Sequence, residues 1–201
     1  MTRIKDPIYG YIEIDVDIVR NIIDSPYFQR LRFIRQTSYT PLYPSSFHNR
    51  YVHSLGVYFL GKMAWQAVHQ QLEEIIGEKG LDKDINLDKV RLLFELACLL
   101  HDVGHAPFSH TGEHLYKGKD GGRKLYERLK EVVGDESFSA DLDKAREGSR
   151  EPAPHETMSC LVAIKQFGKY VETPWMRSLF SRCILGLPFS ANGSAECELY
   201  N

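Results

Sequence analysis

The sequence predicts an all-α protein, a helical bundle preceded by a short extended or hairpin segment. Apolar residues recur at helical spacing through most of the chain. The run RLLFELACLL at residues 91–100 is apolar nearly all round, which indicates a buried helix at the domain centre. Strand-forming residues with turn signals are confined to residues 1–14, where Asp6-Pro7 and Gly10 indicate a turn. We therefore expect one helical domain over residues 1–201.

Each helix follows from its own pattern and its boundary residues. Ser25-Pro26 has the form of an N-cap followed by a first-turn proline, and Gly104 and Pro107 predict a break after the central helix. Loops are expected at residues 37–49 and 77–88, and the strongly charged residues 117–150 indicate a mobile, solvated excursion. The expected helices cover residues 15–23, 26–36, 52–71, 87–101, 109–116, 155–167 and 173–185, with further helical pieces around residues 125–133. In the 52–71 helix, Leu55, Phe59, Met63 and Ala67 should share the apolar side.

Composition limits the classes of function. A net charge of −2 over 201 residues argues against a general nucleic-acid binder, which usually has a basic excess. No segment has the length and apolar character of a membrane span, and the charged N-terminus does not resemble a signal peptide. The four cysteines, Cys98, Cys160, Cys183 and Cys197, contain no C-x-x-C pair, so we expect reduced thiols and a cytoplasmic location.

The residues that indicate chemistry are His101 and Asp102, adjacent at the end of the most apolar helix. A carboxylate is costly to bury there unless it is paired or bound to a metal. His53, near the start of an earlier helix, could reach the same point if the two helices pack together. Imidazole and carboxylate ligands suit Fe, Mn, Ni, Co, Zn or Mg, and an open coordination position would activate water for hydrolysis. An isolated His-Asp pair is weak evidence, so the neighbouring motifs decide the interpretation.

Four motifs in this chain resemble those of HD-domain deoxynucleoside triphosphohydrolases, in the same order. The metal motif is HDVGHAPFSH at residues 101–110, and it is preceded by NRYVHSLGV at residues 49–57. DPIYGYI at residues 6–12 and FQRLRFIRQ at residues 28–36 complete the set. The subfamily with the greatest resemblance combines SAM and HD domains in vertebrates and has bacterial relatives, but no SAM domain is evident here. The resemblance implies the helical HD-domain bundle and a divalent metal cofactor.

Carried over residue by residue, the resemblance implies a role for nine side chains. His53, His101 and Asp102 match metal ligands, Arg50 matches a residue that contacts substrate phosphate, and Gln36 matches a position near the sugar. The matches to catalytic or phosphate-site residues are His105, His110, His155 and Glu113, the last in place of the family's aspartate.

The family's fourth metal ligand is an aspartate in a later motif, which we expect beyond residue 201. The sequence thus has the form of a domain truncated at its C-terminal end. A truncated domain would expose apolar surface, and a homo-oligomer that covers this surface is one hypothesis.

Three functions remain open at this point. The first is hydrolysis of a deoxynucleoside triphosphate to deoxynucleoside and triphosphate. The second is another phosphodiesterase or nucleotidase activity on a phosphate ester, because the metal ligands do not distinguish these substrates. The third is a catalytically impaired module that binds a nucleotide or metal and serves in assembly.

Overall fold

The computed structural model describes residues 1–37, 42, 44–79, 86–120, 122–148 and 151–190. Over these residues it is a helical bundle with an antiparallel hairpin at its N-terminal end. The predicted all-α class with an N-terminal hairpin is confirmed. The organisation as a single domain over 1–201 stays a prediction.

The hairpin consists of strands β1 (Thr2–Asp6) and β2 (Gly10–Ile14), paired in register from Thr2–Ile14 to Asp6–Gly10. The Asp6 carboxylate accepts hydrogen bonds from the backbone N–H groups of Ile8 and Tyr9, which closes the turn. Ile12 and Ile14 are fully buried, because alternate residues of a strand face the same side. The hairpin is thereby held against the helical core.

The first helices are short. Helix α1 (Val16–Ile18) continues as a π-helical turn (Val19–Ile23), and α2 (Pro26–Gln29) continues as a 3₁₀ turn (Arg30–Phe33). Ser25 caps α2 as predicted, since its hydroxyl accepts from the N–H of Phe28.

The prediction that this helix reaches residue 36 is wrong. The chain becomes extended at Ile34, whose carbonyl accepts from the N–H of Arg50, and Arg35 forms a bridge with Asn49. These long-range backbone hydrogen bonds replace the helical ones. Gln36 therefore lies in a short extended segment next to the start of the following helix.

Helices α3 (Arg50–Lys79) and α4 (Leu87–Leu100) pack against each other at the centre of the bundle. Helix α3 begins and ends outside the predicted residues 52–71, and the predicted apolar side is only partly correct. Leu55 is buried, but Met63 is 51% exposed and Tyr58 and Trp65 are buried instead. Gly61 allows the close approach of α3 to α4, because a Cβ there would lie 2.6 Å from Cys98 Sγ.

The chain then turns through residues 101–108 into a 3₁₀ turn (Ser109–Gly112), helix α5 (His114–Lys117) and a second 3₁₀ turn (Gly118–Asp120). This confirms the break predicted from Gly104 and Pro107. The segment from Asp102 to His110, called the HD loop below, leaves the centre of the bundle directly beside α8.

Helices α6 (Arg123–Val133) and α7 (Glu136–Glu147) occupy the region for which the sequence suggested a charged excursion. Both are amphipathic, with apolar sides in the core and charges on the other side. Leu129, Val133, Phe138 and Leu142 are fully buried. The many charged residues of this region therefore lie on the exposed sides of two packed helices.

Helices α8 (Pro154–Gln166) and α9 (Pro174–Leu185), joined through a 3₁₀ turn (Gly168–Tyr170), agree with the predicted helices to within one or two residues. Both pack on α4 and α6. Arg182 on α9 is buried and forms an ion pair with Asp141 of α7 at 2.8 Å, which ties the two helices together.

The three cysteines that the structure describes, Cys98, Cys160 and Cys183, are free thiols. Cys160 is buried, whereas Cys183 is exposed. Cys197 lies outside the described residues. A search of the described helices finds none with both the length and the apolar character needed to cross a membrane.

Candidate metal centre

Three side chains from two helices converge where the sequence predicted a metal site. His53 projects from the first turn of α3, and His101 and Asp102 directly follow α4. The Nε2 atoms of His53 and His101 lie 3.2 Å apart, and Asp102 Oδ2 lies 3.7 and 3.6 Å from them respectively. We call these three residues the metal triad.

These distances fit one bound cation. Bonds of about 2.0–2.2 Å to a central metal place neighbouring ligand atoms about 3–3.6 Å apart. Two imidazole nitrogens and one carboxylate oxygen are also the ligand set of many catalytic metal sites, which leave a position for water or substrate. The metal triad therefore fits the divalent cofactor that the sequence predicted.

The protonation states of the triad favour metal binding. His101 Nδ1 lies 2.9 Å from the carbonyl oxygen of Cys98. A carbonyl only accepts hydrogen bonds, so Nδ1 is the donor in this contact and Nε2 is the ring nitrogen that faces the triad. Burial lowers the pKa of His53, against the opposing effect of the Asp102 carboxylate, and so keeps this imidazole in its neutral, metal-binding form.

Asp102 is 2% exposed and remains ionised. Burial by itself would raise the pKa of its carboxyl group. The nearby His105 ring and the charges of His101 and Arg50 outweigh burial and hold the pKa well below its usual value. Asp102 therefore offers a carboxylate to a metal at neutral pH.

Arg50 forms the wall of the site beside the metal triad. It is 2% exposed, and its guanidinium donates to Asp102 Oδ2 and to Ser109 Oγ, both at 2.6 Å. Its Nη2 atom also lies 3.4 Å from His110 Nε2. Ser109 adopts a positive φ of 54°, which is uncommon for a residue with a side chain and is often found at functional sites. The structure thus places a fixed positive charge next to the metal ligands.

A second group, which we call the histidine cluster, comprises His105, His110, Glu113 and His155, whose potential ligand atoms lie within 4.8 Å of one another. Glu113 Oε1 accepts hydrogen bonds from Nδ1 of His110 at 2.6 Å and Nδ1 of His155 at 2.7 Å. His155 stacks on His105, with ring centroids 4.0 Å apart. One carboxylate oxygen therefore positions two imidazoles.

The histidines of this cluster differ in exposure. The side chain of His110 is 61% exposed, whereas that of His155 is 12% exposed and His105 is fully buried. Burial lowers the pKa of His155 to about 4, helped by the charge of His105 and opposed by Glu113. The His105 ring is 3.2 Å from Asp102 Oδ1 and connects the cluster to the metal triad.

Gln36 lies in the extended segment whose backbone is hydrogen-bonded to residues 48–50. Its own N–H donates to the carbonyl of His48. Among the described residues its side-chain oxygen is buried without a hydrogen-bond partner. The substrate role of Gln36 stays a prediction.

Sequence reasoning missed residues that support the HD loop. Arg30 donates to the carbonyl oxygens of Val103 and His105, and Ser159 Oγ accepts from the N–H of Gly104 at 2.8 Å. Tyr116 donates to the carbonyl of Gly104 at 2.7 Å. Arg30 lies within the FQRLRFIRQ motif, so the sequence indicated this residue but not the carbonyl groups that it contacts. Nothing in the local sequence around Ser159 or Tyr116 indicates these contacts.

Comparison with known proteins places these residues in a family. A family model described as the HD domain matches residues 50–164, which include Arg50, the metal triad and the histidine cluster. The human deoxynucleoside triphosphate triphosphohydrolase SAMHD1 is 46% identical over 112 residues, and the frog Xenopus laevis protein of the same name is 42% identical over 113 residues. Each alignment covers 55% of this chain and 16% of the relative, so the chain spans about a sixth of their length.

The similarity extends beyond vertebrates and to a solved structure. An uncharacterised protein of the archaeon Methanocaldococcus jannaschii is 42% identical over 114 residues, which are 56% of this chain and 21% of that protein. The crystal structure of a phosphohydrolase from Bacteroides thetaiotaomicron matches 90% of this chain and 35% of its own, with a TM-score of 0.50 and 23% identity. That likeness concerns the fold alone. Because the family model matches more than half of the chain, the protein belongs to the HD-domain family.

Proposed function

We propose that this chain is the metal-binding part of an enzyme that hydrolyses nucleotides, and specifically deoxynucleoside triphosphates, to a deoxynucleoside and inorganic triphosphate. The observation that carries the proposal is the buried Arg50 guanidinium, held beside the metal triad by Asp102 and Ser109. Phosphoryl transfer requires mainly positioning and neutralisation of charge, and this arrangement supplies both. The substrate class is supported by the similarity to the vertebrate deoxynucleoside triphosphate triphosphohydrolases.

His53, His101 and Asp102 are the residues that would hold the cation. A bound divalent cation supplies a Lewis acid, which lowers the pKa of water and neutralises charge on phosphoryl oxygens. Arg50 binds the phosphate from the adjacent wall. Its two terminal nitrogens are fixed by Asp102 and Ser109, so little conformational entropy is lost when it binds a substrate oxygen.

The cleavage breaks the bond from the α-phosphorus to the 5′ oxygen, and that oxygen needs a proton. His110 is the proposed donor, because its ring is exposed and its Nε2 atom faces the Arg50 wall. Glu113 positions His110 through Nδ1 and stabilises the charged ring. His155 is neutral at neutral pH, so its part is to hold Glu113 from the other side.

Gln36 is the proposed contact to the sugar. Its buried side-chain oxygen has no partner among the described residues and could accept a hydrogen bond from a sugar hydroxyl. A substrate that satisfied this oxygen would gain a specific contact, since an unpaired buried acceptor costs about 1–3 kcal/mol.

The test is a product analysis of the purified chain, incubated with each deoxynucleoside triphosphate and Mn²⁺, Fe²⁺ or Mg²⁺. Chromatography should detect deoxynucleoside and ³¹P NMR should detect intact triphosphate, only in the presence of metal. Release of orthophosphate or pyrophosphate would instead indicate another phosphatase or phosphodiesterase activity. Stoichiometric metal without turnover of any nucleotide would favour a binding and assembly module.

A further inference from the structure

A groove on the side of α8 away from its first turn has no part in the proposed hydrolysis. It lies between α5, α6 and α8 and has a volume of about 390 Å³. The described residues that line it are Tyr116, Lys124, Leu125, Arg128, Met158, Leu161, Val162, Lys165 and Gln166. None of these belongs to the metal triad or the histidine cluster.

The charge of this groove has one sign. Lys124 and Arg128 lie one helical turn apart on α6, and Lys165 projects from α8. All three are exposed, and within the described part of the chain none of them forms an ion pair. The described lining residues include no carboxylate. Three unpaired cations around one cavity repel one another, and an anion between them would remove that repulsion.

The floor of the groove is apolar. Leu125 and Leu161 are buried, and Met158 and Val162 are half-buried beside them. The volume lies in the usual range of small-molecule sites, about 300–1,000 Å³. The groove therefore fits a small anion, with charge at its rim and room for an apolar part below.

The groove is directly connected to the HD loop. Tyr116 lines it and donates to the carbonyl of Gly104 at 2.7 Å. On the other side, Gly104 touches α8 so closely that a Cβ there would lie 2.2 Å from the Ser159 nitrogen. A ligand in the groove would thus contact Tyr116 and α8, which together hold Gly104 in place. Gly104 is two residues after Asp102 in the chain.

We propose that this groove is a second ligand site, separate from the metal centre, that binds a phosphate-bearing small molecule through Lys124, Arg128 and Lys165. The ligand could be free polyphosphate or a nucleotide, since both present the same phosphate charge to these cations. A nucleotide would in addition place its base on the apolar floor.

The first test titrates the full chain with inorganic tripolyphosphate in chelator-treated buffer by isothermal calorimetry. We expect the variant Lys124→Gln/Arg128→Gln/Lys165→Gln to lose a binding component that the unmodified chain shows, with affinity at least about tenfold weaker. The control Lys5→Gln/Lys89→Gln/Lys144→Gln removes the same charge from exposed residues on other elements and should change the affinity less than about twofold. Equal binding by all three proteins, or equal weakening in both variants, would overturn the proposal.

Hydrogen–deuterium exchange provides a second measurement that does not depend on any variant. Tripolyphosphate should protect amides of α6 and of the C-terminal half of α8. Protection confined to residues near the metal triad would contradict a separate site. A non-hydrolysable deoxynucleoside triphosphate that protects the same helices at a tenfold lower concentration would identify a nucleotide as the ligand, and equal potency would identify free polyphosphate. An acidic peptide that displaces tripolyphosphate and binds more tightly would refute a small-molecule site.

Discussion

Asp102 belongs to the metal triad and also contacts the histidine cluster through His105. The two groups differ in the hydrogen bonds that their polar atoms form. In the triad, His53, His101 and Asp102 bring ligand atoms to 3.2–3.7 Å from one another, and the proton of His101 is held on the far side of the ring by Cys98. In the cluster, Glu113 accepts short hydrogen bonds from His110 and His155, whereas neither ring nitrogen of the buried His105 has a hydrogen-bond partner among the described residues. This difference supports the proposal that the triad holds a cation and that the cluster handles protons.

Removal of one triad ligand should have the largest effect. We expect His101→Ala to lower the bound metal at least about tenfold, and hydrolysis about 1,000-fold, which corresponds to about 4 kcal/mol of transition-state stabilisation. Mass spectrometry of metal content and a product assay measure the two quantities. His69→Ala, in an exposed histidine of α3 outside both groups, is the matched control. Unchanged metal in His101→Ala would remove the distinction between the two groups.

A substitution at Gly104, which lies in the chain between Asp102 of the metal triad and His105 of the histidine cluster, should have an effect that is nearly as large. Gly104→Ala would place a Cβ 2.2 Å from the Ser159 nitrogen and 2.5 Å from the Met158 carbonyl carbon, where only backbone can give way. We expect a loss of about 3 kcal/mol in the free energy of unfolding, measured by denaturant titration. Gly168→Ala, where a Cβ would meet nothing within 4 Å, should change stability much less. Equal losses of stability in both variants would show that the HD loop does not pack closely against α8.

Acid should destabilise the chelator-treated chain through the buried histidines. The folded pKa of His155 is lowered from 6.5 to about 4, and burial also lowers the pKa of His53 and His105. The unfolded chain therefore binds more protons between these values, so stability is full above pH 6.5 and falls as the pH drops toward 4.

For His155 alone, this loss amounts to about 3 kcal/mol. The measurement is the denaturation midpoint as a function of pH, for the unmodified chain and for His155→Gln. The variant should show a shallower dependence. Parallel curves for the two proteins would mean that His155 is protonated in the folded state like an exposed histidine.

The smallest effect is expected inside the histidine cluster. Glu113→Gln keeps the shape of the side chain but removes the charge that positions His110 and His155. Since we propose that this group handles protons rather than metal, metal content should stay constant while hydrolysis falls about 100-fold, about 2.7 kcal/mol. Glu131→Gln, at an exposed position on α6, is the control. If Glu113→Gln lost metal together with activity, the two groups would form a single metal site.

Local sequence signals predicted several elements with good accuracy. Ser25-Pro26 combines a capping side chain with a first-turn proline, and α2 begins where this pair predicts. Helices α8 and α9 lie within one or two residues of their predicted bounds. The failures came where distant contacts decided the outcome. The helix predicted to reach residue 36 stops at Phe33, because Ile34 and Gln36 form backbone hydrogen bonds with Arg50 and His48 instead.

The candidate site likewise contains residues that the sequence indicated and contacts that it did not. The motifs around His53, His101 and Asp102 marked these residues, and the structure brings all three together. The internal arrangement of the histidine cluster was not predicted, because Glu113 and His155 are 42 residues apart and no sequence pattern specifies a shared oxygen. Tyr116, which holds the HD loop through a backbone carbonyl, left no chemical signature in the sequence, and the motif around Arg30 did not indicate the carbonyls that this residue contacts.

The sequence by itself determined the helical class and the start of α2, and it indicated the residues that we propose as metal ligands, because periodicity, capping and motif chemistry are local properties of the chain. The tertiary structure decided which polar atoms meet. It placed Arg50 on Asp102 and Ser109, joined two histidines through Glu113, and packed the charged helices α6 and α7 into the core. Pairings of this kind depend on the packing of helices that are distant in sequence, and no local pattern encodes them.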